Sequence, residues 1–310
     1  MKIYQLLLIV CLLSCTATEQ SEAQQPSQLL KDVEVLSSDA YQGRKTETKG
    51  AEMARSYLSQ RFKALGLKSF ASSYEQPFSF RSNTATKVTG TNMIGYIPGK
   101  TDQVIVISAH YDHLGMAGKE IYSGADDNAS GVAGLLYIAE FYSKNQPNNT
   151  IIFAAFDAEE MGLRGAKAFL SAPPVSMGKI KLNINMDMIS HNDKGELYAC
   201  GTFKHPELKR FIIAAVDGIK VLTGHDDPKL AHDDWTNQSD QGPFNAKGIP
   251  FLYFGVEDHR DYHQISDKYA NINPVFFTKA ARAILDITIN IDKQRDIQQI
   301  FKEKLKMKKR

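Results

Sequence analysis

Cysteine is scarce: 3 in 310 residues. Cys11 and Cys15 fall in the first fifteen positions, which leaves Cys200 alone and excludes a disulfide framework. Cys200 ends an apolar, strand-like run, Leu197-Tyr198-Ala199-Cys200, and reads as a small core residue, not a nucleophile. An excess of one charge is also missing. The balance of 37 Lys and Arg against 35 Asp and Glu leaves +2, so there is no electrostatic case for a nucleic-acid partner. No internal repeat is visible, and no stretch reads as an interdomain linker. With 43% hydrophobic and 23% charged residues the chain can bury a sizeable core, and wholesale disorder is excluded.

The N-terminus reads as a targeting segment. Lys2 supplies a positive charge, and the apolar run Leu6 to Leu13 is too short to span a bilayer. The run ends in Leu12-Leu13-Ser14-Cys15, which resembles a bacterial lipobox, where the cysteine is lipidated and begins the mature protein. Leu13 is not the favoured small or β-branched residue at its position, which leaves plain secretion with cleavage elsewhere as the alternative. Residues 1–15 are thus expected to be a signal and lipoprotein segment, 16–28 a polar tether, and 29–310 one domain. The expected location is the outer cell envelope as a lipoprotein, or otherwise the periplasm or medium. Membrane contact would be only through Cys15.

Beyond the tether, Ala54, Tyr57, Leu58, Phe62 and Leu65 recur at helical spacing until Gly66. Short apolar runs follow at Val104 to Ile107, Ile151 to Phe156 and Ile249 to Phe254, as in strands covered on both faces. Helical patterns lie between them, at Gly131 to Tyr142, Gly162 to Leu170 and Pro206 to Val216. This alternation predicts an α/β sandwich of three layers around a mixed, mainly parallel central sheet. A C-terminal helix from about Pro274 precedes a basic tail, Lys304 to Arg310, read as a solvated helix end.

Polar residues able to bind metal follow the apolar runs, where an open α/β sheet collects its ligands. They are His110-Tyr111-Asp112-His113, Asp157-Ala158-Glu159-Glu160, Asp187, and the loop with His259, Asp261, Tyr262 and His263. A further loop, Gly124-Ala125-Asp126-Asp127-Asn128-Ala129-Ser130-Gly131, is rich in carboxylates and opens a helix. Singly, each has a bland reading as a cap or a solvated face. Together, several carboxylates at one end of a sheet would repel one another without a cation between them. Imidazole with carboxylate suits zinc-type ions.

The ordered set His110-x-Asp112, Gly124 to Gly131, Glu159-Glu160-x-Gly162, Asp187 and Tyr262-His263 resembles the M28 zinc exopeptidases, which include bacterial leucyl aminopeptidases. Asn92 to Gly99 and Ser239-Asp240 also look like family signatures. The resemblance implies two zinc ions bridged by Asp126, one held also by His110 and Asp187, the other by Glu160 and His263. It implies a cis peptide between Asp126 and Asp127, an Asp112 carboxylate that orients His110, and Glu159 as the general base. That base would take a proton from a metal-activated water and return it to the leaving amine. The chain departs from the family at Ala166, where many members have Ser, and at Gln241, where His is common. His113, His191, His205, His225 and His232 match no ligand position and read as structural or surface residues. His232 and Trp235 lie in a loop that could border a substrate cleft.

The activity implied is removal of N-terminal residues from peptides. Three alternatives stand beside it: a one-zinc glutaminyl cyclase of the same fold, a carboxypeptidase, and a non-catalytic surface binding module.

Overall fold

The computed structural model of the protein describes residues 27–301, apart from 214 and 217. The expected signal segment, Cys15, all but the last two residues of the tether and the basic tail lie outside the described residues. Six α-helices are described: α1 (Gln28–Leu36), α2 (Lys49–Ala64), α3 (Gly131–Lys144), α4 (Arg164–Ser171), α5 (Gln241–Ala246) and α6 (Pro274–Asp292). The strands are β1 (Glu75–Arg81), β2 (Lys87–Ile97), β3 (Thr101–His110), β4 (Gly115–Ala117), β5 (Glu120–Tyr122), β6 (Asn149–Phe156), β7 (Ile180–Met186), β8 (Glu196–Cys200), β9 (Ala215–Val216), β10 (Ile219–Thr223) and β11 (Phe251–Gly255).

Among the described residues, nine strands make one sheet in the order β1-β2-β6-β3-β7-β11-β8-β10-β9, and β4 pairs with β5 apart from it. The centre, β6-β3-β7-β11, is parallel. The sheet turns antiparallel toward both edges, at β1-β2, β2-β6, β11-β8 and β9-β10. The central strands β6, β3 and β7 carry apolar residues on both faces because both faces are covered. Ile105 and Ile107 of β3 face a large core under α1, α2, α3 and α6, while Val104 and Val106 face a second core under α4 and α5. Those two faces give the three layers.

Local chemistry sets the helix ends. Thr48 caps α2 by accepting from the Ala51 N–H, and Gly66 beyond its end takes φ +71. Asn273 caps α6 by accepting from the Phe276 N–H at 3.0 Å. The helical pattern from Pro206 to Val216 is the part the sequence misreads. A 3-10 turn covers Pro206–Phe211, and Ile212 is already extended as the chain heads into β9. The β-branched pair Ile212-Ile213 suits an extended chain better than another helical turn, and pairing of β9 with β10 uses the freed backbone.

One buried cation braces the floor of the sheet's functional end. Arg44 is fully buried and donates to four carbonyls: Tyr111 O at 2.8 Å, Leu36 O at 2.7 Å, Ser123 O at 2.7 Å and Gly124 O at 2.8 Å. Burial pulls its pKa down to about 10, against the pull of Asp267, Asp127, Asp112 and Glu160. Arg44→Met would leave four carbonyls without these donors. At roughly 1–3 kcal/mol for each buried group left unpaired, a loss of several kcal/mol is expected, read as a lower denaturant midpoint. An unchanged midpoint would show that the carbonyls find other donors.

Candidate active site and metal centre

The site forms where the parallel strands end. His110 is the last residue of β3, Glu159 and Glu160 follow β6, Asp187 follows β7, and His263 lies in the loop after β11. Because β6, β3, β7 and β11 are neighbours in the sheet, residues as distant in sequence as His110 and His263 meet in one cleft. The loop between β5 and α3 brings the fifth group from the side. Ala158, Met188 and His263 take left-handed backbone conformations, φ 57, 58 and 56. For non-glycine residues that costs on the order of 1–3 kcal/mol each, and such strain gathers at functional sites.

The fifth group is Asp127. Its Oδ1 lies 3.4 Å from His110 Nε2, and His110 Nε2 lies 3.2 Å from Asp187 Oδ1. Its Oδ2 lies 3.1 Å from His263 Nε2, which in turn is 3.5 Å from Glu160 Oε2. One carboxylate therefore joins two donor sets. The expectation that Asp126 bridges is corrected by one position. Asp126 points the other way, where its Oδ1 accepts from the Ser190 N–H and Oγ–H, each at 2.7 Å, and its Oδ2 faces His259 Nε2 at 2.9 Å. The cis peptide moves with it, to Asp127-Asn128.

The loop is fixed in that register by residues distant in sequence. The Asp267 carboxylate accepts from the N–H groups of Asp126 at 2.8 Å and Asp127 at 3.0 Å. Asn128 accepts from the Gly131 N–H at 2.9 Å and donates to Met186 O at 2.9 Å. A Cβ on Gly131 would sit 2.4 Å from that same carbonyl, so only glycine lets α3 start this close to β7.

Asp112 acts differently from the expectation. The His110 Nδ1 lies 3.1 Å from the Asp112 backbone carbonyl and 3.8 Å from its carboxylate. The carboxylate instead accepts from the N–H of Glu159 at 3.0 Å and of Glu160 at 3.4 Å. It thereby positions the Glu159-Glu160 pair, and the carbonyl orients the imidazole.

The electrostatics are those of crowded acids. Burial pushes the Glu159 carboxyl well above its ordinary range, and Asp187, Asp240 and Glu160 add to the push against the pull of His110. Asp240 is fully buried with neither carboxylate oxygen partnered, and burial raises it to about 7. Burial also works against a proton on His110, but Asp187, Glu159 and Asp127 outweigh it and raise its pKa well above normal. Protons on imidazole and carboxyl groups here do what a divalent cation would do, which is to keep like charges from facing one another. His110, Asp127 and Asp187 offer donor atoms within 4.8 Å of one another, so these residues can hold an ion.

The cleft is narrow, with a volume of about 70 Å³. Glu159 and Asp258 border it together with Met188, Trp235, Tyr253 and Tyr262, and no lysine or arginine is among the described residues that line it. Trp235 stacks on His225 with ring centroids 3.8 Å apart, and its carbonyl accepts from the buried Gln241 amide at 2.7 Å. The Gln241 side chain also accepts from Asn185, so this residue ties the cleft wall to β7. The His232 side chain lies outside the described residues. His113, read as a structural or surface residue, is buried and faces Glu160 at 2.8 Å. Its place in His110-Tyr111-Asp112-His113 is the one sequence signal that could have drawn it into the site.

Residues 92–288, more than half of the chain, match the model of peptidase family M28. The chain belongs to that family. Leucine aminopeptidase 1 of Paracoccidioides brasiliensis is 31% identical to this M28 chain over 150 residues, which cover 44% of this chain and 37% of that protein. The M28 chain thus spans little more than a third of that relative's length. Among solved structures, the zinc aminopeptidase BSAP from Bacillus subtilis superposes with a TM-score of 0.67 at 16% identity, covering 84% of this chain and 93% of that one. A glutaminyl cyclase from Bacteroides thetaiotaomicron gives 0.67 at 18% identity, over 84% and 96%. At such identities these likenesses show a shared α/β fold.

Proposed function

We propose that this M28 chain is an aminopeptidase that works with a co-catalytic pair of zinc ions. The observation that carries the two-metal reading is the division of Asp127, one oxygen toward His110 and Asp187, the other toward Glu160 and His263. Two imidazoles and three carboxylates suit zinc, so His110 and Asp187 would hold one ion, Glu160 and His263 the other, and Asp127 both. The zinc-dependent relatives with the same fold support that choice of metal. When bound, the ions supply Lewis acidity for a scissile carbonyl and a more acidic water.

Glu159 borders the cleft beside these residues without belonging to either donor set, which suits it to accept a proton and pass it to the leaving amine. Asp112 holds the backbone of Glu159 in place for that work. The lack of lysine and arginine among the described lining residues favours an N-terminal ammonium over a C-terminal carboxylate as the recognised end. Asp258, which also lines the cleft, adds to the anionic character that would hold such an ammonium. The wall of Met188, Trp235, Tyr253 and Tyr262 gives an adjoining side chain an apolar surface. Residues 1–15 read as an export signal, which would place this activity at the cell envelope or outside it.

The test uses aminoacyl amides with free and with blocked amines, together with a zinc count by elemental analysis. Cleavage confined to free amines, with two zinc ions per chain, is expected. Cleavage of blocked substrates would overturn the aminopeptidase reading. Cyclisation of N-terminal glutamine with one zinc and no peptide hydrolysis would replace it with a cyclase.

A further inference from the structure

His113 has no role in the reaction described above, yet it is fully enclosed beside the second donor set. Its Nδ1 lies 2.8 Å from Glu160 Oε1 and 3.6 Å from Asp127 Oδ2, and its Nε2 is buried without a hydrogen-bond partner. The loop is shaped around it. Gly124 has φ +59, and a Cβ there would meet the imidazole at 2.6 Å. Any other residue would collide with the ring.

We infer that His113 is a positioning residue for the second metal, holding Glu160 Oε1 so that Oε2 alone is presented to the ion. This rests on the two-metal reading. The tautomer follows from what each ring nitrogen can reach. A carboxylate only accepts, so the 2.8 Å contact requires the hydrogen on Nδ1. A hydrogen on Nε2 would be a buried N–H with no acceptor, which folded proteins very seldom tolerate. The same point argues against His113 as a direct ligand through Nδ1, because ligation there would move the hydrogen to the orphaned Nε2. With Oε1 engaged, the oxygen left free is Oε2, the one that lies 3.5 Å from His263 Nε2. His113 thereby sets which oxygen of Glu160 faces the ion, and does so from an enclosed position that substrate does not reach.

The experiment compares full-length wild type with His113→Ala, His113→Asn and His113→Gln. Zinc stoichiometry and stepwise affinity are read by chelator competition, and folding by thermal unfolding of the chelated proteins. Loss of such an outer partner typically weakens metal binding by about 10–100-fold, so one of the two zinc affinities should fall by that factor in His113→Ala while the other holds. His113→Asn should recover most of the loss, because its amide nitrogen sits near the place of Nδ1. His113→Gln, with its nitrogen one bond farther out, should recover less. Should His113→Ala not fold, the contrast between Asn and Gln decides the matter by itself. Two wild-type zinc affinities in a folded His113→Ala, or an Asn variant no better than the Gln variant, would overturn the inference. So would a zinc-loaded structure with Nδ1 at a zinc–nitrogen bonding distance of about 2.0–2.1 Å. A wild type that binds only one zinc would sink the two-metal reading itself, and this inference with it, before any variant is compared.

Discussion

Glu159→Gln is expected to lower kcat by roughly 10²–10⁴-fold, the range that a positioned general base contributes. Glutamine keeps the shape of the side chain and leaves untouched the backbone N–H that donates to Asp112. What it removes is the ability to take up a proton. Because Glu159 belongs to neither donor set, zinc content should stay at the wild-type value. Stability should not suffer either. The Glu159 carboxyl is held well above its usual 4.5, chiefly by burial, so its ionised form is disfavoured in the metal-free fold. That penalty is absent at low pH and grows as pH rises past 4.5, where an unfolded chain would already ionise. The glutamine variant escapes it and should unfold no earlier than wild type at neutral pH in the presence of chelator. Equal turnover by the variant would remove Glu159 from the role of base.

The second large effect is expected at Asp127. Asp127→Asn should reduce bound zinc from two ions to one or none and abolish turnover at stoichiometric zinc, since a neutral amide replaces the one anionic group that both donor sets share. Asp126→Asn is the informative contrast. An asparagine oxygen there still accepts from Ser190, and only the contact with His259 is weakened. Zinc content should therefore hold, with a cost confined to stability. Elemental analysis of the two variants side by side checks the register of the loop. If Asp126→Asn emptied the site while Asp127→Asn did not, the bridging role would return to Asp126.

Much of the site could be read from the sequence because its chemistry comes in short, ordered motifs. His110, Glu160, Asp187 and His263 each stand directly after an apolar run or in a family motif, and the structure brings all four into one cleft. Three features could not be read. Asp126 and Asp127 are adjacent and identical in type, so no pattern of residue types distinguishes them. Asp112 works through its backbone carbonyl on one side and its carboxylate on the other, which motif matching does not resolve. Asp267, which pins the bridging loop, lies about 140 positions away in a stretch without any signal.

The sequence alone determined the alternation of apolar runs and helical patterns, and with it the layered fold. Each run is long enough for one strand, and the period of its neighbours suits one helix. It also determined which chemical groups stand at the strand ends. Tertiary structure decided which of two neighbouring carboxylates turns into the cleft. The backbone at Asp127 and Asn128 is non-helical, with φ −103 and −135, so the side chains do not follow the spacing of the helix they precede. Ser190 holds the Asp126 carboxylate, Asp267 the backbone N–H groups of Asp126 and Asp127, and Met186 the Asn128 amide, all partners delivered by other parts of the fold. Tertiary structure likewise turned His113, read from the sequence as a structural or surface residue, into a neighbour of Glu160. Local propensity acts over a few residues, whereas these contacts exist only once β3, β6 and β7 lie side by side.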